Sequence, residues 1–182
     1  MITILTDENF EEQIKSTDKL VLVDFFAAWC EPCSMLAPIL EKIAENMKEK
    51  IVLMKANLDD TPKMANQFGV EKIPTVILFK NGKAISGFVG LAPESSIKEW
   101  IMTAGFEDYA KSNGFQLSPD KKSVERVIKG LLANEQKFGN QYCPCRRVTG
   151  DKVEDAKKIC PCIWGKDEVK KDGHCLCNLY VK

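Results

Sequence analysis

Apolar residues change their spacing several times along this chain, and each change marks an element. Residues 20–27 are apolar almost without interruption, the pattern of a central strand covered on both faces. Asp24 stands in the middle of that run. Before it, residues 2–5 read as a short strand, and Thr6 and Asp7 supply N-cap candidates for a helix over 8–15, with Phe10 and Ile14 on one face. After it, Leu36, Ile39, Leu40, Ile43 and Met47 recur at helical spacing over 34–50, with Pro38 set to kink the helix. Residues 51–56 read as a strand, and 62–68 as a helix stopped by Gly69. Ile73-Pro74-Thr75 leads into a strand over 76–79, and Asn81-Gly82 is a hairpin signal into 83–89. Pro93 opens a helix with Ile97, Trp100 and Ile101 on one face, ending near Ala104 and Gly105. This order predicts an α/β sandwich around one sheet.

From Phe106 the pattern is different. No Gly/Ser-rich linker divides the halves, so the tether between residues 1–105 and 106–182 is expected to be short. A helix is expected from Pro119 or Asp120 to Phe138, with Val124, Val127, Ile128, Leu131 and Leu132 as its stripe and Gly139 after it. Beyond Gly139 apolar residues are few, and 151–158 can form one short helix. Such a segment gains little from a hydrophobic core, and a bound metal centre would fix it.

Composition adds a charge asymmetry. The 182 residues carry 26 basic and 26 acidic side chains, but residues 1–105 hold 11 basic against 15 acidic and the remainder 15 against 11. The basic half can steer an acidic partner or the acidic half of the chain; solvated faces are the plainer reading. No nucleic-acid or membrane partner is expected. The first ten residues lack the pattern of a signal peptide and the longest apolar run is too short to span a bilayer, so a cytoplasmic protein is expected.

In a reducing compartment, closely spaced cysteines mean metal binding or redox chemistry. Of the eight, two form Cys30-Glu31-Pro32-Cys33 between the central strand and the following helix. Unpaired backbone N–H groups and the helix dipole stabilise a thiolate there, which makes Cys30 the candidate nucleophile. Cys33, one turn further in, can resolve a mixed disulfide. Asp24 reads either as a hydrogen-bonded structural carboxyl or as an internal acid–base. The other six cysteines form Cys143-Pro144-Cys145, Cys160-Pro161-Cys162 and Cys175-Leu176-Cys177, separated by 14 and 12 residues. A structural disulfide set does not suit a reducing compartment. Two readings stay open: structural zinc, and an iron–sulfur cluster with four ligands and two cysteines left over for a redox disulfide.

Residues 1 to about 104 resemble thioredoxin in Val23-Asp24-Phe25, Trp29-Cys30-Glu31-Pro32-Cys33, Pro38, Lys55, Ile73-Pro74-Thr75, Phe79-Lys80-Asn81-Gly82 and Gly90. The resemblance implies a thioredoxin fold with a mixed sheet flanked by helices and a cis Pro74 against the cysteine pair. It also implies that Trp29, Ile73 and Pro74 meet the substrate chain, and that Asp24 with Lys55 handles protons for Cys33. Glu31, where the family commonly has Gly, opposes a thiolate on Cys30.

The second half resembles the catalytic chain of ferredoxin:thioredoxin reductase. Besides the three cysteine pairs, residues 106–114, Val127-Ile128-Lys129-Gly130-Leu131, Arg146 and the final Cys177-Asn178-Leu179-Tyr180-Val181 align in order. The resemblance implies a small, mainly helical iron–sulfur domain whose four-iron four-sulfur (4Fe-4S) cluster is held by Cys143, Cys160, Cys162 and Cys175. Cys145 and Cys177 are then the active disulfide, with Cys145 attacking thioredoxin. The family histidine inside the last pair is Leu176 here; the nearby His174 is either a displaced proton donor or an exposed loop residue. The family's second, non-catalytic subunit has no counterpart in the chain. Implied partners are ferredoxin, disulfide-containing target proteins and other thioredoxins. With class potentials of about −400 mV for plant-type ferredoxins and about −270 mV for thioredoxins, transfer runs from ferredoxin to thioredoxin, downhill by roughly 6 kcal/mol for two electrons. The competing expectation is a thioredoxin reduced by a separate flavoprotein, with the second half a structural metal-binding or docking module; an isomerase or holdase is a third.

Overall fold

The computed structural model describes residues 2–182. They divide into two units, the first ending at Ala104 and the second beginning at Gly105. The first unit is built on a five-stranded sheet in the order β1-β3-β2-β4-β5. These strands are β1 (Thr3–Leu5), β2 (Leu20–Phe26), β3 (Ile51–Asn57), β4 (Thr75–Lys80) and β5 (Lys83–Val89). β1, β3 and β2 are parallel, and β4 and β5 are antiparallel additions. The mixed sheet of the thioredoxin fold is therefore present, with the apolar run of β2 at its centre.

The alternation along β2 divides the core in two. Val21, Val23 and Phe25 pack with Phe10, Met64 and Phe79 on one face. On the other, Leu22 packs with Leu36, Leu40 and Ile43 of α2 (Glu31–Asn46) and with Ile97 and Ile101. Asp24 belongs to this second face by period. The Asn81-Gly82 turn has positive φ at both residues, 50° and 75°, as a two-residue hairpin requires.

Two local expectations are corrected. The first helix is only α1 (Phe10–Gln13), and Asp7 does not cap it. Asp7 instead accepts the N–H groups of Lys63 and Met64 at 3.2 and 2.9 Å, at the start of α3 (Pro62–Gln67). The helix expected to stop near Ala104 runs on as α4 (Glu94–Ser112). Its early residues Ile97, Ile101 and Ala104 serve the first core, whereas Phe106 and Ala110 are buried beyond the division. That change of partner breaks the apolar stripe on which a sequence-based boundary depends. A glycine inside a helix costs only about 1 kcal/mol, so Gly105 does not stop it.

In the second unit, α5 (Lys121–Phe138) has Asp120 as N-cap and a left-handed Gly139 as C-cap. It buries Val124, Val127, Ile128 and Leu131. α6 (Lys152–Ala156) is the expected short helix. Two features were not expected: α7 (Gly165–Asp172), and a small antiparallel pair of β6 (Gln116–Leu117) with β7 (Tyr180–Val181).

Candidate functional site

The first thiol centre grows out of the end of β2. The chain leaves the sheet at Phe26, turns, and enters α2 with Cys30 as its N-cap in an extended conformation. Cys30 and Cys33 are joined in a disulfide of 2.07 Å. The Cys33 N–H donates to Cys30 Sγ at 3.2 Å, so the helix end supplies that sulfur with a donor of the kind that stabilises negative charge. Ala27, Phe26 and Ile73 pack around the pair. The Ile73–Pro74 peptide bond is cis, and Trp29 beside the pair is 72% exposed.

Asp24 is 1% exposed, and its Oδ1 has no hydrogen-bond partner among the described residues. Burial pushes its carboxyl up from 3.8 to about 6, partly opposed by the ammonium of Lys55, while Glu41 adds to the rise. The parallel register sets Lys55 beside Asp24, but the Lys55 Nζ is bonded to Glu41 at 2.7 Å. The geometry is that of a carboxyl that takes up a proton readily.

The second centre is assembled from three loops. An antiparallel bridge between Tyr142 and Ile159, with Cys143 N–H donating to Lys158 and Cys160 N–H to Gln141, holds the first two cysteine pairs side by side. Gly130 of α5 lets this region pack closely, since a Cβ there would lie 2.9 Å from Pro144. Asp155 braces the connecting loop through Thr149, Gly150 and Lys158. Lys158 above all holds its carboxyl well below the usual range. The third pair follows α7 in a tight turn, where Asn178 N–H donates to the Cys175 carbonyl and Tyr180 N–H to Cys175 Sγ at 3.3 Å.

Glu168 of α7 links the pairs: it forms an ion pair with Arg146 next to Cys145 and accepts the Leu176 N–H at 2.9 Å. The Arg146 guanidinium also lies over the Trp164 ring at 4.3 Å and hydrogen-bonds Cys162. The sulfurs contact one another. Cys162 and Cys177 thiols hydrogen-bond Cys143, and Cys177 lies 3.7 Å from Cys175. These bonds hold Cys143 and Cys175 well below the usual thiol range and push Cys162 and Cys177 up. Cys145 is raised by desolvation, then by Cys143 and Cys175. All six are free thiols, and of them Cys145 alone is exposed.

The donor set suits a sulfur-ligated group. It is all thiol, hydrogen bonds between the sulfurs lower the proton affinity of Cys143 and Cys175, which favours metal binding, and Arg146 Nε and the Tyr180 hydroxyl are buried beside it with no partner among the described residues. Among the described residues no three His, Cys, Asp or Glu side chains are placed to hold one metal ion.

Residues 1–103 match the family model of thioredoxin. The chain belongs to the thioredoxin family. Similar proteins include the thioredoxin of Rickettsia bellii, 45% identical over 101 residues covering 56% of this chain and 96% of the relative. The thioredoxin of Alicyclobacillus acidocaldarius is 47% identical over 94 residues, 52% and 89% of the two chains. Thioredoxin 2 of Chlorobaculum tepidum is 44% identical over 92 residues, 50% and 84%. Residues 93–182 match the model of the ferredoxin thioredoxin reductase catalytic beta chain, a family associated with iron–sulfur binding. The thioredoxin domain is thus followed by a domain of that second family, and the protein is a thiol–disulfide oxidoreductase of thioredoxin type.

In the thioredoxin domain, Cys30, Cys33 and Ile73 pack together, with Trp29 and the cis Pro74 as their chain neighbours, while Glu31 is exposed in the first turn of α2. Glu41 was not foreseen, because nothing in the pattern of α2 distinguishes it from the other exposed acids. In the second domain, His174 is exposed and its Nδ1 lies 3.1 Å from the Cys175 carbonyl oxygen. Arg146, Trp164, Glu168 and Tyr180 were missed as a shell. The signal available was a basic residue directly after the first cysteine pair. No helix is long and apolar enough to cross a membrane among the described residues.

Proposed function

We propose that the protein is a ferredoxin-dependent disulfide reductase in which a 4Fe-4S centre at Cys143, Cys160, Cys162 and Cys175 serves a disulfide formed by Cys145 and Cys177. The observation that carries this reading is the split in the second domain: Cys143, Cys160, Cys175 and Cys177 are buried and Cys162 is half-buried, while Cys145 is exposed. Cys143, Cys160, Cys162 and Cys175 would hold the cluster, one thiolate each. When bound, such a cluster would supply single electrons to a disulfide that needs two.

The chain's own residues do the rest. Reduction of Cys145–Cys177 frees both sulfurs. The Cys145 thiolate attacks Cys30 of an oxidised thioredoxin domain, forming Cys145–Cys30 and expelling Cys33 as a thiolate. Asp24, with its raised affinity for a proton, returns a proton to that side of the site. Cys177 then attacks Cys145, restoring Cys145–Cys177 and releasing Cys30. The reduced Cys30 attacks a target disulfide, and Cys33 resolves the mixed disulfide. The cis Pro74, Ile73 and the exposed Trp29 form the surface that receives the target chain. The net basic charge of residues 106–182 favours an acidic donor such as ferredoxin.

Anaerobic purification with iron, sulfide and zinc analysis tests the centre. About four irons and four sulfides per chain are expected; zinc without sulfide refutes the proposal. Cys145→Ser is expected to keep its iron and to lose reduction of Cys30–Cys33 by reduced ferredoxin. Mixing Cys145→Ser with Cys30→Ser proteins distinguishes transfer within one chain from transfer between two.

A further inference from the structure

Two hydrogen-bond donors in the second domain are buried without an acceptor among the described residues: Nε of Arg146 and the hydroxyl of Tyr180. Leaving a buried donor unmet is costly, and folded proteins keep few of them. Neither group can turn away to water. Tyr180 is 3% exposed, with its ring edge-on to Phe106 at 6.3 Å and tilted against Tyr109 at 5.4 Å. Its own N–H is committed to Cys175 Sγ. Arg146 is fixed by Trp164, Glu168 and Cys162, which set the plane of the guanidinium and therefore the direction of its Nε–H bond.

Both donors stand among sulfurs. Burial holds the Tyr180 phenol far above its ordinary range, and Cys160, Cys175 and Cys177 are near enough to add to that effect. Arg146 follows Cys145 and hydrogen-bonds Cys162. A phenylalanine at 180 would fill the same ring contacts with no unmet polar atom, so packing alone gives no reason for the hydroxyl.

We infer that Tyr180 and Arg146 are positioning residues of the sulfur centre, the Tyr180 O–H and the Arg146 Nε–H each donating a hydrogen bond to sulfur of the cluster that the cysteines hold. This rests on the iron–sulfur reading above. Donors to sulfur stabilise the more negative, reduced state, so they raise the reduction potential, and as outer-shell partners they retain the metal. The two residues act from different loops, Arg146 from the first cysteine pair and Tyr180 from the turn after the third.

The test uses anaerobically purified holoprotein of wild type, Tyr180→Phe and Arg146→Lys. Arg146→Lys keeps a cation for Glu168 and removes the Nε–H; Tyr180→Phe removes one oxygen and guards against loss of folding. The readouts are the midpoint potential of the cluster from a spectroscopic redox titration and the rate of iron loss to a chelator. Each variant is expected to shift the midpoint to a more negative value and to lose iron faster, for Tyr180→Phe on the order of tenfold. Wild-type potential and wild-type iron loss in Tyr180→Phe overturn the inference while leaving the cluster in place. Purified wild type carrying zinc and no sulfide overturns the underlying reading and the inference with it.

Discussion

Replacing Asp24 by Asn removes the charge that β2 carries into the core while keeping the size of the side chain. The Asp24 carboxyl titrates at about 6 in the fold against an ordinary 3.8. The folded state therefore holds the proton more tightly than the unfolded chain, and ionisation favours unfolding. The penalty is absent below pH 3.8, grows between 3.8 and 6, and is fully present above that range. At about 1.36 kcal/mol per pH unit the full penalty is about 3 kcal/mol at pH 8, and at pH 5 about half of it remains. Because the residue is 1% exposed, solvent screening reduces this little. Asp24→Asn is thus expected to be more stable than wild type by about 3 kcal/mol at pH 8, with the gap halved at pH 5. Urea unfolding followed by pulsed hydrogen exchange in peptides from β2 and β3 reads the first unit by itself. A variant no more stable at pH 8, or a gap that does not change between pH 8 and pH 5, refutes the reasoning. The same variant is expected to slow the exchange steps that leave Cys33 as a thiolate.

Asp7→Ala removes the acceptor for the first N–H groups of α3 and is expected to cost about 1 kcal/mol, read as lost exchange protection in residues 62–67. Gly130→Ala places a Cβ 2.9 Å from the Pro144 ring. Helix propensity gains about 1 kcal/mol and overpacking costs about 1–3, so a net loss of about 1 kcal/mol is expected in the second unit, measured by exchange in α5. Glu168→Gln leaves Arg146 without its counter-charge and is expected to cost about 2 kcal/mol, seen as faster exchange in the turn around Leu176 and lower iron content on purification.

How much was legible follows from where each signal lies. Cys30 at the mouth of α2, the Asn81-Gly82 hairpin and the α5 stripe are local patterns, and all three are present. α7 was missed because it is eight residues long with only Val169 and Gly165 buried, too little for a stripe to stand out. The β6–β7 pair has two residues on each side and carries no alternation to read. In the site, cysteine spacing separated two centres of different kind. The shell of Arg146, Trp164, Glu168 and Tyr180 could not be read, since its members are spread over 35 residues of sequence.

By itself the sequence determined the order of strands and helices in the first unit, the long helix α5, the thiol pair at a helix N-terminus and the presence of three further cysteine pairs. These depend on periodicity and on neighbours within a few positions. The tertiary structure alone decided that Asp7 caps α3 from 56 residues away, that α4 continues to Ser112, that Lys55 bonds Glu41 beside Asp24, and that Cys145 faces solvent while Cys143, Cys160, Cys175 and Cys177 are buried and Cys162 half-buried. Burial, and with it the proton affinity of a carboxyl or the openness of a thiol, is a property of what packs around a group, and that is settled only when distant segments meet.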